Sequence, residues 1–93
     1  MIFFYILLWL MGSEAKTSAI EQYVIKFVTD LRVQRNLTQE DIATIIEVSR
    51  EFVTKVENQN HRAKYNLNHI DKLADHFGLS PKDFLPEKPG RYI

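Results

Sequence analysis

Residues 37–58, LTQEDIATIIEVSREFVTKVEN, hold two short helical patterns separated only by Glu47-Val48-Ser49. That break constrains the fold more than any other feature of the chain. Each new helix repeats an unfavourable nucleation step, so one long helix would form more easily than two short ones. A chain that interrupts itself here is placing something. A turn this short throws the second helix steeply across the first, and the second then protrudes from its neighbours.

One grammar recurs along the rest of the chain. Thr38, Ser49, Asn66 and Ser80 are good N-cap residues, whose side-chain oxygens accept from the first turn of a helix. Before them stand Leu37, Val48, Tyr65 and Leu79; four residues beyond each cap stand Ile42, Val53, Ile70 and Phe84, the pairing of a hydrophobic staple. Thr38-x-x-Asp41 and Ser80-Pro81-x-Asp83 add a carboxylate at the third helical position, with Pro81 at the favoured first one. Upstream, Ser18-x-x-Glu21 opens a stripe of Ile20, Val24, Phe27 and Leu31, widened by Val28. The stripe ends near Arg35-Asn36, where asparagine tolerates a left-handed helix end, and Gly78 marks a similar end further on. No stretch alternates with period two, and no Asn-Gly or Asp-Gly pair signals a hairpin. The expected fold is all-α, a compact five-helix domain with helices near 18–35, 38–46, 49–57, 66–77 and 80–85. The domain spans 18–86, and the Pro- and Gly-bearing 87–93 reads as a flexible tail.

Residues 1–11, MIFFYILLWLM, differ from all that follows. The stretch is too short for the roughly 20 residues that span a bilayer. It also lacks the basic start and small-residue cleavage site of a secretory signal. Three readings stay open: translated upstream sequence with Met11 as the natural start, a segment docking on the domain or a partner, or a membrane-surface anchor. The fold is therefore read without the leader 1–17, and a membrane is no partner unless residues 1–11 are a real anchor. Twelve basic residues balance twelve acidic ones, so any charge-driven partner must meet a local patch. With no cysteine, a disulfide framework and thiolate metal sites are excluded, which fits a cytoplasmic protein.

On the paired helices, Ile42, Ile46, Val48, Val53 and Val56 face a shared core, and Ala43 is small where the helices cross. That leaves Arg50, Glu51, Phe52, Thr54 and Lys55 toward the outside of the second, behind its cap Ser49. A protruding helix of this kind enters a DNA major groove. The planar fork of Arg50 suits guanine O6 and N7. Glu51 either accepts from a cytosine amino group or caps its own helix dipole. Phe52 either presses a thymine methyl or packs under the helix. Lys55 either reaches DNA or pairs with Glu51 one turn away. Asn58, His61, Arg62 and Lys64 lie in the loop that follows, where Arg62 and Lys64 are candidate phosphate contacts. Charge between Arg32 and Lys64 is six basic against five acidic residues, a weak patch.

Gln39, Ala43, Val48-Ser49, Val53 and Glu57-Asn58, preceded by Leu31-Arg32 and followed by NLNHIDKLADHFGLSPKDFL, carry a resemblance. Over roughly residues 20–85 the chain resembles the phage repressor/Cro-like (XRE-type) helix-turn-helix family. The resemblance implies a repressor-like domain that binds double-stranded DNA sequence-specifically as a small transcriptional regulator, repressor or antitoxin-like. It implies that Gln39 contacts the DNA backbone, and that Arg32 and Glu57 form a partly buried ion pair between the first and third helices. A homodimer on DNA is expected, and a protein partner such as a toxin or another regulator is compatible. The last helix with Leu79, Phe84 and Leu85, or the tail, offers a small dimer interface. One departure is Glu47, where the family often has glycine. A non-glycine residue in a left-handed turn costs on the order of 1–2 kcal/mol, which points to a turn of different geometry.

His69 and His76 lie seven residues apart on one helix face with Lys72 between them, a poor arrangement for a cation. No glycine-rich phosphate loop and no nucleophile–histidine arrangement is present. Neither a metal, nor a cofactor, nor an enzyme is expected. The rival to a DNA reader is a protein-interaction module that keeps the helix-turn-helix fold. Zero net charge, Glu47 and Glu51 favour it.

Overall fold

Ser18 Oγ accepts the backbone N–H of Glu21 at 3.3 Å, and the Glu21 carboxylate accepts that of Ser18 at 2.8 Å. This is the reciprocal cap the sequence predicts. From it runs α1, Ala19–Gln34. The computed structural model describes residues 17–90. Its further elements are α2 (Gln39–Ile46), α3 (Arg50–Glu57), α4 (Leu67–Phe77) and a single 3₁₀ turn, Pro81–Phe84. Among the described residues there is no strand, and the fold is all-α. The expected fifth helix at 80–85 is thus one 3₁₀ turn. Pro81 starts it, while Pro86 disfavours helical backbone at Leu85, which is extended at φ −113, ψ 150. The leader segment 1–16 and residues 91–93 lie outside the described residues.

Three helices end alike. Asn36 (φ 56), Glu47 (φ 60) and Gly78 (φ 69) are left-handed. The next residues, Leu37, Val48 and Leu79, donate their N–H groups to the carbonyls of Arg32, Ala43 and Ala74, each at 2.9 Å. Those same apolar residues pack on the core and stand immediately before the caps Thr38, Ser49 and Ser80. One side chain therefore closes a helix and staples the next, which is why the connections are so short. The turn at Glu47 corrects an expectation: its geometry is the same left-handed one that Gly78 adopts, not a different one. The exposed Glu47 carboxylate pairs with Lys72 of α4 at 2.8 Å. That hydrogen bond and charge hold it below the usual carboxylate range.

The core sits where α1, α2, α3, α4 and the 3₁₀ turn converge, on fully buried Val28, Ile42, Ile46, Val53, Leu73 and Phe84. Ala43, 1% exposed, lies among them, as expected where α2 and α3 cross closely. The α1 stripe swings away from its predicted head: Ile20 is 43% exposed, and Ile25 is buried instead. Phe84, offered above as part of a dimer surface, is wholly buried with its ring 4.8 Å from that of Phe27. It is a core residue and cannot serve an interface. Leu85 remains on the surface, 38% exposed.

Asn66 caps the start of α4 as its sequence predicts, with a reciprocal partner that the sequence hid. Asn66 Oδ1 accepts the N–H of His69 at 2.8 Å, and His69 Nδ1 accepts the N–H of Asn66 at 3.1 Å. A histidine stands where this reciprocal cap ordinarily has glutamate or glutamine. Nδ1 can accept only when unprotonated. Burial first, and the Lys72 charge second, hold His69 below its ordinary value. The folded pKa is therefore the lower one. The associated stability is complete above the unfolded value of about 6.5 and is lost as pH falls through the folded value. Urea melts at descending pH should show this loss, and His69→Gln, which preserves the cap, should flatten that part of the profile.

Candidate nucleic-acid interface

The α2–α3 corner is held by a polar network that crosses three helices. Arg32 of α1 grips the Glu57 carboxylate with both prongs of its fork, Nε to Oε2 and Nη2 to Oε1, each at 2.9 Å. Its remaining Nη1 donates to the carbonyl of Leu37 at 2.9 Å. The side chains are only 18% and 10% exposed, so this is the partly buried pair that the resemblance implies. Glu57 Oε1 also accepts from Gln39 Nε2 at 3.0 Å, and Gln39 Oε1 accepts from the Thr54 hydroxyl at 2.7 Å. The chain Arg32–Glu57–Gln39–Thr54 thus fixes α3 against α1 and α2. Beside it the buried Tyr65 hydroxyl has no hydrogen-bond partner among the described residues, and burial, then the Glu57 charge, raises its pKa.

With one side of α3 anchored by Val53 and Val56, its opposite side faces outward. Arg50, Glu51, Thr54 and Lys55 are all exposed and line one shallow concavity there. Arg50 also borders a second cleft, with Thr38, Gln39 and Glu40 at the start of α2. The helix that protrudes therefore presents its arginine next to the exposed N-terminus of its neighbour. Ser49 caps α3 by accepting the Phe52 N–H at 3.2 Å.

Other candidates are placed differently. Phe52 is half-buried, its ring 5.4 Å from His69 and 6.4 Å from Tyr65, so it takes the packing alternative. Gln39 and Thr54 spend their polar atoms largely on each other and on Glu57. Asn58 and Arg62 are exposed in the loop after α3, where Asn58 Oδ1 accepts the N–H of Asn60 at 2.9 Å. Lys64 lies away from Arg50 and pairs with Glu21 of α1 at 3.2 Å. Of the acidic residues near the patch, Glu57 and Glu47 are neutralised by Arg32 and Lys72. The Asp41 carboxylate accepts the Thr38 N–H at 2.8 Å, reinforcing the α2 cap. The His69 cap beneath Phe52 was the feature missed in the sequence; an Asn with an acceptor three residues later was its signal.

The family model described as Helix-turn-helix matches residues 28–84, which span the C-terminal part of α1, all of α2, α3 and α4, and the 3₁₀ turn. The chain belongs to the XRE-type helix-turn-helix family. This is a family of DNA-binding transcription regulators, generally without enzymatic activity. Searches of curated proteins and of solved structures give no match. Among the described residues of this helix-turn-helix protein, no helix is long and apolar enough to cross a membrane.

Proposed function

We propose that this chain binds double-stranded DNA sequence-specifically as a small transcriptional regulator, repressor or antitoxin-like, with α3 in the major groove. The observation that carries the reading is the single exposed face of Arg50, Glu51, Thr54 and Lys55 on a helix locked from behind. Arg50 reads guanine through its fork, Glu51 sits in reach of a cytosine amino group, and Lys55 extends to a base or phosphate. The start of α2, where Gln39 has a second amide N–H beyond the one given to Glu57, and the loop bearing Asn58 and Arg62 meet the phosphates. One short helix reads few base pairs, so the functional unit is a homodimer on a near-palindromic site, its α3 helices about 34 Å apart.

Selection of binding sites from random duplexes tests this. A defined half-site should emerge, with affinity falling steeply with salt by about 0.9 in logarithmic slope per neutralised phosphate. Arg50→Ala should relax preference at one base position by about 1–3 kcal/mol, whereas Arg62→Ala should weaken all sequences alike. No binding to duplex even at low salt would overturn the proposal. It would favour the protein-interaction reading, which the exposed Glu51 between Arg50 and Lys55 supports.

A further inference from the structure

Away from the Arg50 face, α1, the start of α4 and the 3₁₀ turn enclose a groove of about 420 Å³. Its floor is Val24, Tyr65 and Ile70, and its walls include Ile20, Leu67 and Leu85. These three wall residues are 43%, 77% and 38% exposed, and they make up three of the four exposed large apolar side chains among the described residues. Leu67 stands at the first position of α4, where a polar residue would serve the helix as well. An exposed apolar groove of this kind marks a docking surface. The charged groups at its rim, Lys64 and Glu21, pair with each other at 3.2 Å. The groove is therefore electrically neutral and suits an uncharged apolar segment, not an acidic peptide or nucleic acid.

We propose that residues 1–11 of the same chain, MIFFYILLWLM, fill this groove. The segment carries no charged side chain, and its apolar residues are not confined to one face. It ends six residues before Thr17–Ser18, at the foot of the helix that supplies Ile20 and Val24 (Met11 to Thr17: 17 − 11 = 6). Five connecting residues, Gly12–Lys16, reach about 17 Å when extended, enough to pass around the start of α1. So short a tether gives an effective concentration in the millimolar range, so the chain's own leader outcompetes a second copy at ordinary concentrations. Docking in cis also explains how eleven apolar residues, too few to span a bilayer, coexist with a charge-balanced domain.

The chain's single tryptophan, Trp9, lies in this segment and reports on it without background. In the full chain, Trp9 emission should be blue-shifted and insensitive to dilution into the nanomolar range. Leu67→Asp should shift the emission red and raise its quenching by iodide, with the helical content unchanged, since Leu67 is exposed and an aspartate suits a helix start. A nitroxide on Leu67→Cys, in a chain without native cysteine, should quench Trp9 equally at all protein concentrations. Emission unmoved by Leu67→Asp would overturn the proposal. So would quenching that appears only as dimers form, or a blue shift that appears only when anionic phospholipid vesicles are added. None of these readouts involves DNA, so the outcome is independent of the proposed function.

Discussion

Phe84→Ala should lower the stability of the domain by about 3–5 kcal/mol. Phe84 is 0% exposed, and its ring lies 4.8 Å from Phe27 at the meeting point of α1, α4 and the 3₁₀ turn. Truncation removes the transfer energy of the ring and leaves a cavity that one short turn cannot collapse into, since Pro81 and Pro86 restrict its backbone at both ends. A domain this small has only about 5–15 kcal/mol in total, so the loss is a large fraction of it. A circular-dichroism melt should fall by more than about 12 °C, given roughly 4–8 °C per kcal/mol. Lys82→Ala, on the exposed side of the same turn, should stay within about 0.5 kcal/mol of wild type. Equal melts for the two variants would show that Phe84 does not close the core.

Where the chain turns was legible in its sequence because capping chemistry is local. Thr38 and Asp41, or Ser18 and Glu21, lie three residues apart and satisfy each other whatever the rest of the chain does. The same holds for Asn36 and Gly78, whose left-handed backbone needs no partner. Even His69 at its cap belongs to this class, hidden only because histidine is an unusual acceptor there. What the residues alone did not disclose depends on distant neighbours. Phe52 turns against Tyr65 and His69, Lys64 reaches back to Glu21, and Ile20 leaves the core because α4 and the 3₁₀ turn do not cover it. Helical periodicity gives a face but not the width of what packs on it, so the edges of a stripe are undetermined until neighbours are placed. The outer face of α3 was legible for the converse reason. Val53 and Val56 fix its inner side, so Arg50, Thr54 and Lys55 have only the outside left. The Arg32–Glu57 pair, 25 residues apart, was reachable only through the family resemblance.

Glu57→Ala should destabilise the domain by about 3 kcal/mol, the lower end for breaking a buried pair because both side chains keep some contact with water. The loss is not the strength of one contact. Arg32 would keep only the Leu37 carbonyl for a charge that is 18% exposed, and Gln39 would lose the acceptor that orients its amide toward α3. Thr54 and Gln39 would then hold α2 to α3 without a link to α1. Two further variants separate charge from packing. Glu57→Gln can still accept from Arg32 and Gln39, so it should lose less than alanine does. Arg32→Met combined with Glu57→Leu removes both charges from a half-buried site and should recover most of the stability, since an apolar pair of similar volume often matches a buried ion pair. A melt of Glu57→Ala unchanged from wild type would remove the network from the account of the fold. DNA affinity supplies the second readout. Glu57 is turned inward to Arg32 and Gln39, away from the Arg50 face, so its loss should weaken all duplexes together and only in proportion to unfolding. Arg50→Ala should do the opposite, changing which sequence is preferred while the melt stays within about 0.5 kcal/mol of wild type.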